Sequence, residues 1–328
     1  MTGVAAVGIA PEHRGGGIAS ALMHAALREM HAEGVALSAL YPATIPLYRR
    51  VGYEHAGVRD EVQIALRPLR IKAGEASLNV RRIKPKDHEA IAALYRSRAA
   101  HADGYLDRPE IMWQRVRAPR GDVAQGFMAV SKDSREPEGY LYYLQKPSQD
   151  AAYLLHLTDM VAATPAAGRS LLRFLADHRS MADQAIVHGN EDDPILKLLP
   201  ERYYKSRLLD HWMLRIVDIR AALAKRGYPA GLAAEIHLDV RDELIKPNNR
   251  RWVLGVENGK PRLQGGGRGE LIIDIRGLAA MYSGHLSPYE LISIGLLNVQ
   301  ARGKRADAAL AAATAVFAGS RPSMPDMF

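Results

Sequence analysis

A run of glycines near the start of the chain has the residue types and spacing of a phosphate-binding turn. Arg14 precedes three successive glycines, and the segment matches the pattern R-x-x-G-x-A. Glycines let the backbone turn its N–H groups inward, and the N-terminus of a following helix adds partial positive charge. The segment therefore predicts a cradle for a pyrophosphate, with Arg14 adding charge at its rim. The same glycines are also typical of a plain flexible turn, and this alternative stays open.

The spacing excludes two better-known phosphate-binding motifs. A P-loop requires a Gly-Lys-Ser/Thr sequence after the glycines, and none follows here. The dinucleotide fingerprint requires G-x-G-x-x-G and an acidic residue at the end of a second strand, a pattern that this segment does not match.

Hydrophobicity patterns predict the elements that must position this turn. Residues Val4 to Ala10 are small and apolar on both faces, as expected for a strand buried within a sheet. Apolar residues then recur at every fourth position, which predicts a helix that lays one face on the sheet and ends at Gly34. Val35 to Leu40 indicates a second buried strand, and a short helix closed by Gly52 precedes a strand that starts at Tyr53. The predicted apolar stripe of the long helix consists of Ile18, Leu22, Ala26 and Met30, filled in by Ala21 and Ala25.

Together these segments resemble the acyl-coenzyme A-binding half of a GCN5-related N-acetyltransferase (GNAT) domain. The matching pattern is V-x-I-x-P-x-x-R-x-x-G-I-A, followed after a strand and a loop by Y-x-x-x-G-Y. The resemblance implies that the strand before the loop hydrogen-bonds the pantetheine arm through Val7 and Ile9, and that Tyr48 lies by the thioester sulfur. The residues that it implies for the coenzyme A pyrophosphate are Arg14, Gly15, Gly16, Gly17, Ile18 and Ala19.

The residue types fit the chemistry that this resemblance implies. In direct acetyl transfer an amine attacks the thioester, so the enzyme chiefly positions two substrates and manages two protons. A tyrosine with an ordinary pKa of about 10 is protonated at neutral pH, and it can donate a proton to a thiolate whose conjugate acid has a pKa of about 8.5. The alternative is that Tyr48 only packs, with its hydroxyl in water.

The position of the motif departs from the family pattern. A GNAT domain normally has several strands and helices before the motif strand, whereas here the motif begins almost at Met1. Residues 1–76 are therefore expected to supply only the acyl-CoA-binding half of a first lobe, with part of the acceptor pocket missing. A catalytically inactive relative is accordingly one alternative.

Residues 77–217 are predicted to form a second, degenerate GNAT-like lobe. The segment opens with a strand, a Pro-Lys-Asp turn and a helix that carries Ile91, Leu94 and Tyr95. GFMAVSK, EGYLYYLQK and AAYLLHLTDMVAAT then indicate three strands. Strand, proline and helix recur as in the first lobe, but Pro165 is followed by Ala-Ala-Gly-Arg and not by three glycines. We therefore expect a structural repeat that binds coenzyme A poorly, packs against the first lobe and forms one wall of the acceptor cleft.

Residues 218–328 resemble the sterol-carrier-protein-like fold, a small sheet with helices. Asn258-Gly259 between two alternating apolar runs predicts a hairpin with a type I′ turn. Ser287 ahead of a proline predicts a helix cap, and a last helix is expected over Ala306 to Phe317. Gly265 to Gly267 is interpreted as a plain bend because it precedes a strand. The basic loop Lys246 to Arg251 is interpreted as a solvated hairpin end.

The order of the three regions resembles that of the Eis (enhanced intracellular survival) family of acetyltransferases. The implied fold is α/β and α+β, with tandem GNAT-like mixed sheets and a sterol-carrier-protein-like domain. The resemblance implies acetyl-CoA as acyl donor, amines of aminoglycosides or lysines as acceptors, and assembly as a hexamer. It also implies that the α-carboxylate of Phe328 is the general base; in the alternative, the tail with Met324 and Met327 merely packs on the surface.

Composition favours a globular protein with an anionic ligand. Charged residues make up 24% and hydrophobic residues 48% of 328, and the formal net charge is +8. Because no recognition-helix or aromatic stacking motif supports nucleic acid, a phosphorylated cofactor is the favoured partner. The sequence shows neither an apolar run that could span a membrane nor a signal-peptide pattern, which favours the cytoplasm.

The sequence also bears on metal-dependent or thiol chemistry and on ligand carriage. The absence of cysteine excludes disulfides and thiolate nucleophiles, and the 12 histidines show no metal-binding pairing, so no metal is expected. A rival from another class is a non-enzymatic carrier of a hydrophobic ligand, in which the segment GLAAMYSGHLSPYELISIGLL lines an apolar pocket.

Overall fold

A computed structural model of the chain describes residues 1–72, 74–133 and 135–328. The chain forms two compact units that are each discontinuous in sequence. The first unit contains residues 1–57, 211–322 and 328, and the second contains residues 58–210 and 323–327.

The elements follow in chain order. The strands are β1 (Thr2–Gly3), β2 (Leu37–Leu40), β3 (Glu54–Ala65), β4 (Asn79–Arg82), β5 (Gln125–Val130), β6 (Pro137–Lys146), β7 (Tyr153–Ala162), β8 (Ala182–Gly189), β9 (Tyr204–Ile216), β10 (Ala233–Arg241), β11 (Arg251–Glu257), β12 (Lys260–Gly265), β13 (Leu271–Asp274) and β14 (Leu297–Val299). The helices are α1 (Ile18–Ala32), α2 (Ile45–Arg50), α3 (His88–Ala99), α4 (Glu110–Arg117), α5 (Pro165–Ala176), α6 (Ile219–Lys225), α7 (Ile275–Tyr282), α8 (Pro288–Ser293) and α9 (Lys304–Val316). The chain passes between the two units within β3 and within β9.

The second unit is a sheet covered by helices on both faces, with neighbouring strands in the order β3-β8-β7-β6-β5-β4. Its strands pair antiparallel except for β7 and β8, which pair parallel and are connected in sequence through α5. Side chains of β6 alternate between two hydrophobic clusters, as the period of a strand requires. Leu141 and Tyr143 pack with α5, whereas Tyr140 and Tyr142 pack with α3 and α4. The strands predicted for this region and the burial of Ile91 and Tyr95 are confirmed.

The first unit contains two separate groups of strands. One is β1 paired parallel with β2, which pairs antiparallel with the end of β9. The other is a five-stranded sheet in the order β12-β11-β10-β13-β14, in which β10 and β13 are parallel. Asn258 and Gly259 both have positive φ, 50° and 75°, so the predicted type I′ hairpin is confirmed. The predicted fold class of mixed sheets with flanking helices is confirmed.

Two predictions for the glycine-loop region are wrong. Val4 to Ala10, predicted to be a strand, does not form one, because the strand at this end of the chain is β1 and ends at Gly3. The N–H of Val4 still donates to the carbonyl oxygen of Ala39 at 2.9 Å, but a positive φ of 55° at Ala6 turns the backbone out of the strand conformation. The residues after Gly3 therefore form an irregular segment that leads into the glycine run.

The buried face of α1 is also rotated from the predicted stripe. Met23 and Leu27 are buried in a cluster with Tyr48 and Tyr53, whereas Ile18 and Leu22 are 45% and 48% exposed. An offset of one residue turns a helical stripe by about 100°. The fourfold repeat in the sequence therefore identified a helix but not the side that it buries.

Candidate active site

The glycine run forms a tight turn at the start of α1. Gly15 and Gly17 have φ values of +83° and +79°, a region that residues with a Cβ rarely adopt. Gly17 is the N-cap of the helix, and its carbonyl oxygen accepts the first helical hydrogen bond, from the N–H of Ala21 at 3.0 Å. The Nε–H of Arg14 donates to the carbonyl oxygen of Ile9 at 3.1 Å, which closes the loop that leads into the turn. The predicted glycine loop before a helix is thus present.

A cleft of about 490 Å³ lies against this turn. Its walls come from the segment before the loop, the first turn of α1 and helix α2 with the residue before it. The lining residues are Ile9, His13, Arg14, Gly15, Gly17, Ile18, Ala19, Ser20, Thr44, Pro46, Leu47 and Arg50. The first N–H groups of a helix have no partner within the helix and carry its positive dipole end. The cleft is therefore suited to an anionic group such as a pyrophosphate.

Most of the residues predicted to bind the cofactor line this cleft. Gly16 is absent from the lining, but it stands between two residues that line it, and a Cβ built on it meets nothing within 4 Å. Val7 instead packs, partly buried, against the cluster that contains Tyr48. Sequence reasoning missed Arg50 and Thr44, and the position of Arg50 two residues after the predicted Tyr48 was the one available signal for a cationic wall.

Tyr48 lies on α2 and is largely buried, with 5% of its surface exposed. Its ring packs edge-on against that of Tyr53 at 6.0 Å. Burial raises the pKa of the Tyr48 hydroxyl above its ordinary value. Tyr53 has its own partner, since its hydroxyl shares a hydrogen bond of 2.7 Å with that of Ser38, and burial raises its pKa to about 12. Both phenols are therefore protonated at neutral pH.

The C-terminal end of α2 is held by a fully buried arginine. The Nε–H of Arg215 donates to the carbonyl oxygen of Val51 at 3.0 Å, and its guanidinium binds both carboxylate oxygens of Asp242 at 2.8 Å. Gly52 has a φ of +89°, and a Cβ on it would lie 2.7 Å from Nε of Arg215. Two features thus favour glycine at this position of the Y-x-x-x-G-Y pattern: its positive φ and the lack of space for a Cβ beside Arg215.

Phe328 packs beside β1 and the end of β2 in the first unit. Its ring lies so close to Gly3 that a Cβ there would be 2.6 Å from two ring carbons. The ring of Tyr41, which follows β2, lies 6.0 Å away. The ring of the terminal residue is therefore seated against the strand pair that precedes the glycine loop.

The residues just before Phe328 are anchored in the second unit by a buried charge cluster. Arg108 donates from Nε to both carboxylate oxygens of Asp326 at 3.0 Å and also pairs with Asp159. The guanidinium lies 3.8 Å from the centroid of the Tyr95 ring, and the Tyr140 hydroxyl donates to Asp159 at 2.6 Å. Burial acts to lower the pKa of Arg108, but the two aspartates raise it by more, so the arginine stays charged.

Sequence reasoning missed this cluster because the tail was judged by its apolar residues. Met324 is buried, but Met327 is 54% exposed, and the residue that anchors the tail is the charged Asp326. Asp326 and Arg108 are 218 positions apart, so no local pattern links them.

The second unit contains the strand-proline-helix repeat without a comparable cleft-forming turn. The side-chain oxygen of Thr164 caps α5 by accepting the N–H of Ala167 at 3.2 Å. A Cβ on Gly168 would lie 2.3 Å from the side chain of Leu198, so this helix start is packed. The helix N-terminus thus already has its own acceptor.

The described residues also bear on metal sites and membrane-spanning helices. In residues 1–72, 74–133 and 135–328, no three His, Cys, Asp or Glu side chains are grouped so that they could hold a metal ion. Within the same ranges, no helix has the length and hydrophobicity needed to cross a membrane.

Known protein families match three stretches of the chain. An acetyltransferase (GNAT) domain model matches residues 1–56, and a second acetyltransferase (GNAT) domain model matches residues 104–216. A sterol carrier protein domain model matches residues 219–325.

Individual proteins are also similar to this chain. A GCN5-related N-acetyltransferase from Anabaena variabilis is 37% identical, with a TM-score of 0.90 over 99% of this chain and 81% of that one. One from Kribbella flavida is 31% identical, with a TM-score of 0.81 over 99% of this chain and 79% of that one. The N-acetyltransferase Eis of Mycobacterium tuberculosis is 28% identical over 69% of this chain and 57% of its own length.

Proposed function

The chain belongs to the Eis-like GCN5-related N-acetyltransferases, and from this we propose that it transfers the acetyl group of acetyl-CoA to a primary amine. The observation that carries the proposal is the cleft at the start of α1, which is lined by two positive-φ glycines, the first residues of the helix, Arg14 and Arg50. Its shape and charge suit the pyrophosphate of coenzyme A.

We assign cofactor binding to the residues of the glycine loop and the segment before it. Arg14, Gly15, Gly16, Gly17, Ile18 and Ala19 would hold the pyrophosphate, and Val7 and Ile9 would border the pantetheine arm. The carbonyl oxygen of Ile9 already accepts a hydrogen bond from Arg14, so a pantetheine amide would use its second lone pair.

The reaction that follows is a direct aminolysis of the thioester. The neutral amine nitrogen attacks the carbonyl carbon, a C–N bond forms, and the C–S bond breaks. The nitrogen loses one proton to a base, and the sulfur departs as a thiolate that then takes a proton from solvent. In this proposal the α-carboxylate of Phe328 takes the proton of the amine, and the Tyr48 hydroxyl donates a hydrogen bond to the departing sulfur.

The role of Tyr48 is best described as hydrogen-bond donation to the departing sulfur. Its pKa is raised above 10 by burial, whereas that of a thiol is about 8.5. Complete proton transfer from the phenol to the thiolate is therefore uphill by about 2 kcal/mol or more. A protonated phenol nevertheless stabilises the negative charge that develops on sulfur in the transition state.

The acceptor class that we propose is aminoglycoside-like or lysine amines, on the strength of the likeness to Eis. The same likeness supports a cytoplasmic hexamer. The rival function of a hydrophobic-ligand carrier is not favoured, because Leu278, Ala279, Ala280 and Met281 of α7 are fully buried and so fill the space that a ligand would need.

The activity can be tested by following release of coenzyme A. The chain has no cysteine, so a thiol reagent reports only the coenzyme A thiol and has no protein background. We expect acetyl-CoA to release thiol when an aminoglycoside or a lysine peptide is added. An absence of amine-dependent thiol release with both acceptor types would refute the proposed acceptor class.

Cofactor placement can be tested with a pair of glycine variants. Gly16→Asp introduces a carboxylate at an open position without positive φ, and Gly227→Asp does the same at a loop after α6. We expect Gly16→Asp to weaken acetyl-CoA binding by at least tenfold in titration calorimetry, because the carboxylate repels the pyrophosphate. Gly227→Asp should leave it unchanged. Equal affinities would show that the pyrophosphate lies elsewhere.

A further inference from the structure

A second, larger groove in the first unit is lined mainly by cations. It has a volume of about 920 Å³ and lies between the α1–α2 region and the segment 241–246 with 274–276. Seven Arg or Lys side chains and three Asp or Glu side chains line it. An excess of positive charge in a concave surface raises the local concentration of anions.

Several of these cations already have carboxylate partners. Arg49 pairs with Glu54 at 2.6 Å, Arg215 with Asp242 at 2.8 Å, and Arg276 with Asp274 at 3.1 Å. These pairs are part of the framework of the groove and contribute little net charge to it. Arg241 likewise pairs with Asp239.

Three cations remain for a ligand. Among the described residues, Arg28, Arg50 and Lys246 form no ion pair with a carboxylate within 4.0 Å, and all three are exposed. One carboxylate of the lining, Glu243, is also exposed and has no cation within that distance in the same part of the chain. The groove thus offers three cationic groups against one anionic group, which suits a doubly charged anion.

The groove adjoins the cleft at the glycine loop at Arg50, which lines both. Helix α1 also runs from one to the other. Ser20 lines the cleft, and His24 and Arg28 line the groove at successive intervals of four residues. Residues four apart lie on the same side of a helix, so this side leads from the pyrophosphate site into the groove.

The backbone that carries Lys246 is fixed in place. Asp242 accepts hydrogen bonds from the N–H groups of Leu244 and Ile245, each at 3.1 Å, and from the Asn248 side chain at 3.0 Å. The cationic position is therefore prearranged, and binding an anion there requires little ordering of the chain. The interpretation of this segment as a solvated hairpin end does not account for this network.

We infer that Arg28, Arg50 and Lys246 bind the 3′-phosphate of coenzyme A. This inference rests on the proposed cofactor site. The 3′-phosphate is joined to the pyrophosphate only through the ribose, so it reaches the region next to Arg50. A phosphate monoester carries a charge of about −1.5 to −2 at pH 7. Lys246 lies in the sterol-carrier-like region, so that region takes part in cofactor recognition.

The test compares coenzyme A with dephospho-coenzyme A, which lacks only this phosphate, by titration calorimetry on the full chain. We expect the intact protein to prefer coenzyme A by about tenfold, as two or three exposed ion pairs allow. The variants Arg28→Ala and Lys246→Ala should each reduce the preference by about threefold, through weaker binding of coenzyme A alone. Arg262→Ala, on β12 outside the groove, is the matched control.

A variant that strengthens binding removes misfolding as an explanation. Glu243→Gln deletes the free carboxylate, so it should increase the preference for coenzyme A by about twofold to threefold. Raising the salt concentration should reduce the preference. Equal affinity for the two cofactors in the intact protein, or an unchanged preference in Arg28→Ala and Lys246→Ala, would overturn the inference. Failure of both cofactors to bind would instead refute the proposed function.

Discussion

Gly104 offers a direct test of how the C-terminal tail is held in the second unit. Its φ is +91°, and a Cβ built on it would lie 2.6 Å from the carbonyl oxygen and 3.0 Å from the nitrogen of Ser323. The N–H of Ser323 donates a hydrogen bond to the carbonyl oxygen of Asp103 at 2.9 Å, and the N–H of Met324 donates one to the carbonyl oxygen of Val58 at 3.1 Å. Because the contacting atoms are backbone, Gly104→Ala must move the tail.

Gly121 supplies a control with the same φ. Its φ is also +91°, but a Cβ there meets nothing within 4 Å. Both alanine variants incur the cost of a positive φ, about 1 kcal/mol. Gly104→Ala should in addition lose the two tail hydrogen bonds at about 1 kcal/mol each. We therefore expect Gly104→Ala to destabilise the protein by about 3 kcal/mol and Gly121→Ala by about 1 kcal/mol.

The two variants can be compared by urea unfolding and by amide hydrogen exchange. We expect the amides of Ser323 and Met324 to exchange faster in Gly104→Ala and to keep their protection in Gly121→Ala. If the carboxylate of Phe328 is the base, acetyl transfer should fall by at least tenfold in Gly104→Ala only. Equal destabilisation of the two variants, with tail protection kept in both, would refute the reasoning.

Three further perturbations test separate parts of the molecule. Tyr48→Phe should lower kcat by about tenfold to a hundredfold with little change in acetyl-CoA affinity, since it removes one hydrogen bond to the departing sulfur; an unchanged kcat would return Tyr48 to packing alone. Two glycines added after Phe328 should lower kcat strongly without lowering the melting temperature, and a normal rate would remove the terminal carboxylate from the mechanism. Burial and two neighbouring histidines lower the pKa of His285 to about 4, below that of an unfolded histidine near 6.5. The unfolded state then binds more protons below pH 6.5, so stability should fall by about 2–3 kcal/mol between pH 6.5 and 4, and less in His285→Gln. Melting curves measured across this pH range test the predicted loss of stability, and His101→Gln, at an exposed histidine, is the control. An identical pH dependence in both variants would contradict the assignment of this loss to His285.

Local patterns predicted the elements that depend on local chemistry. The type I′ turn at Asn258-Gly259 and the capped start of α8 at Ser287 follow from turn and cap preferences, and both are present. The glycine loop before α1 is also local, because Gly15 and Gly17 adopt conformations that only glycine takes readily. Such features need no knowledge of distant partners.

Features that depend on distant partners could not be predicted. The buried side of α1 is set by Met213 and Tyr53, which no helical period reveals. The strand expected after Val4 is broken at Ala6, although its composition is ideal for a strand. The anchoring of Asp326 requires Arg108 from a different part of the sequence. In each case the deciding partner is contributed by the tertiary fold.

The buried pair of Arg215 and Asp242 has a consequence for the modularity of the chain. Arg215 fixes the end of helix α2, and its counter-charge comes from the sterol-carrier-like region, within one compact unit. Removing the Asp242 carboxylate while the rest of that region stays in place would leave a buried guanidinium without its counter-charge, at a cost of about 3–5 kcal/mol. The region is therefore not an independent domain that could be exchanged between proteins. A gene fusion that replaced it would have to replace Arg215 as well. The acetyltransferase lobe and its companion are expected to be inherited together.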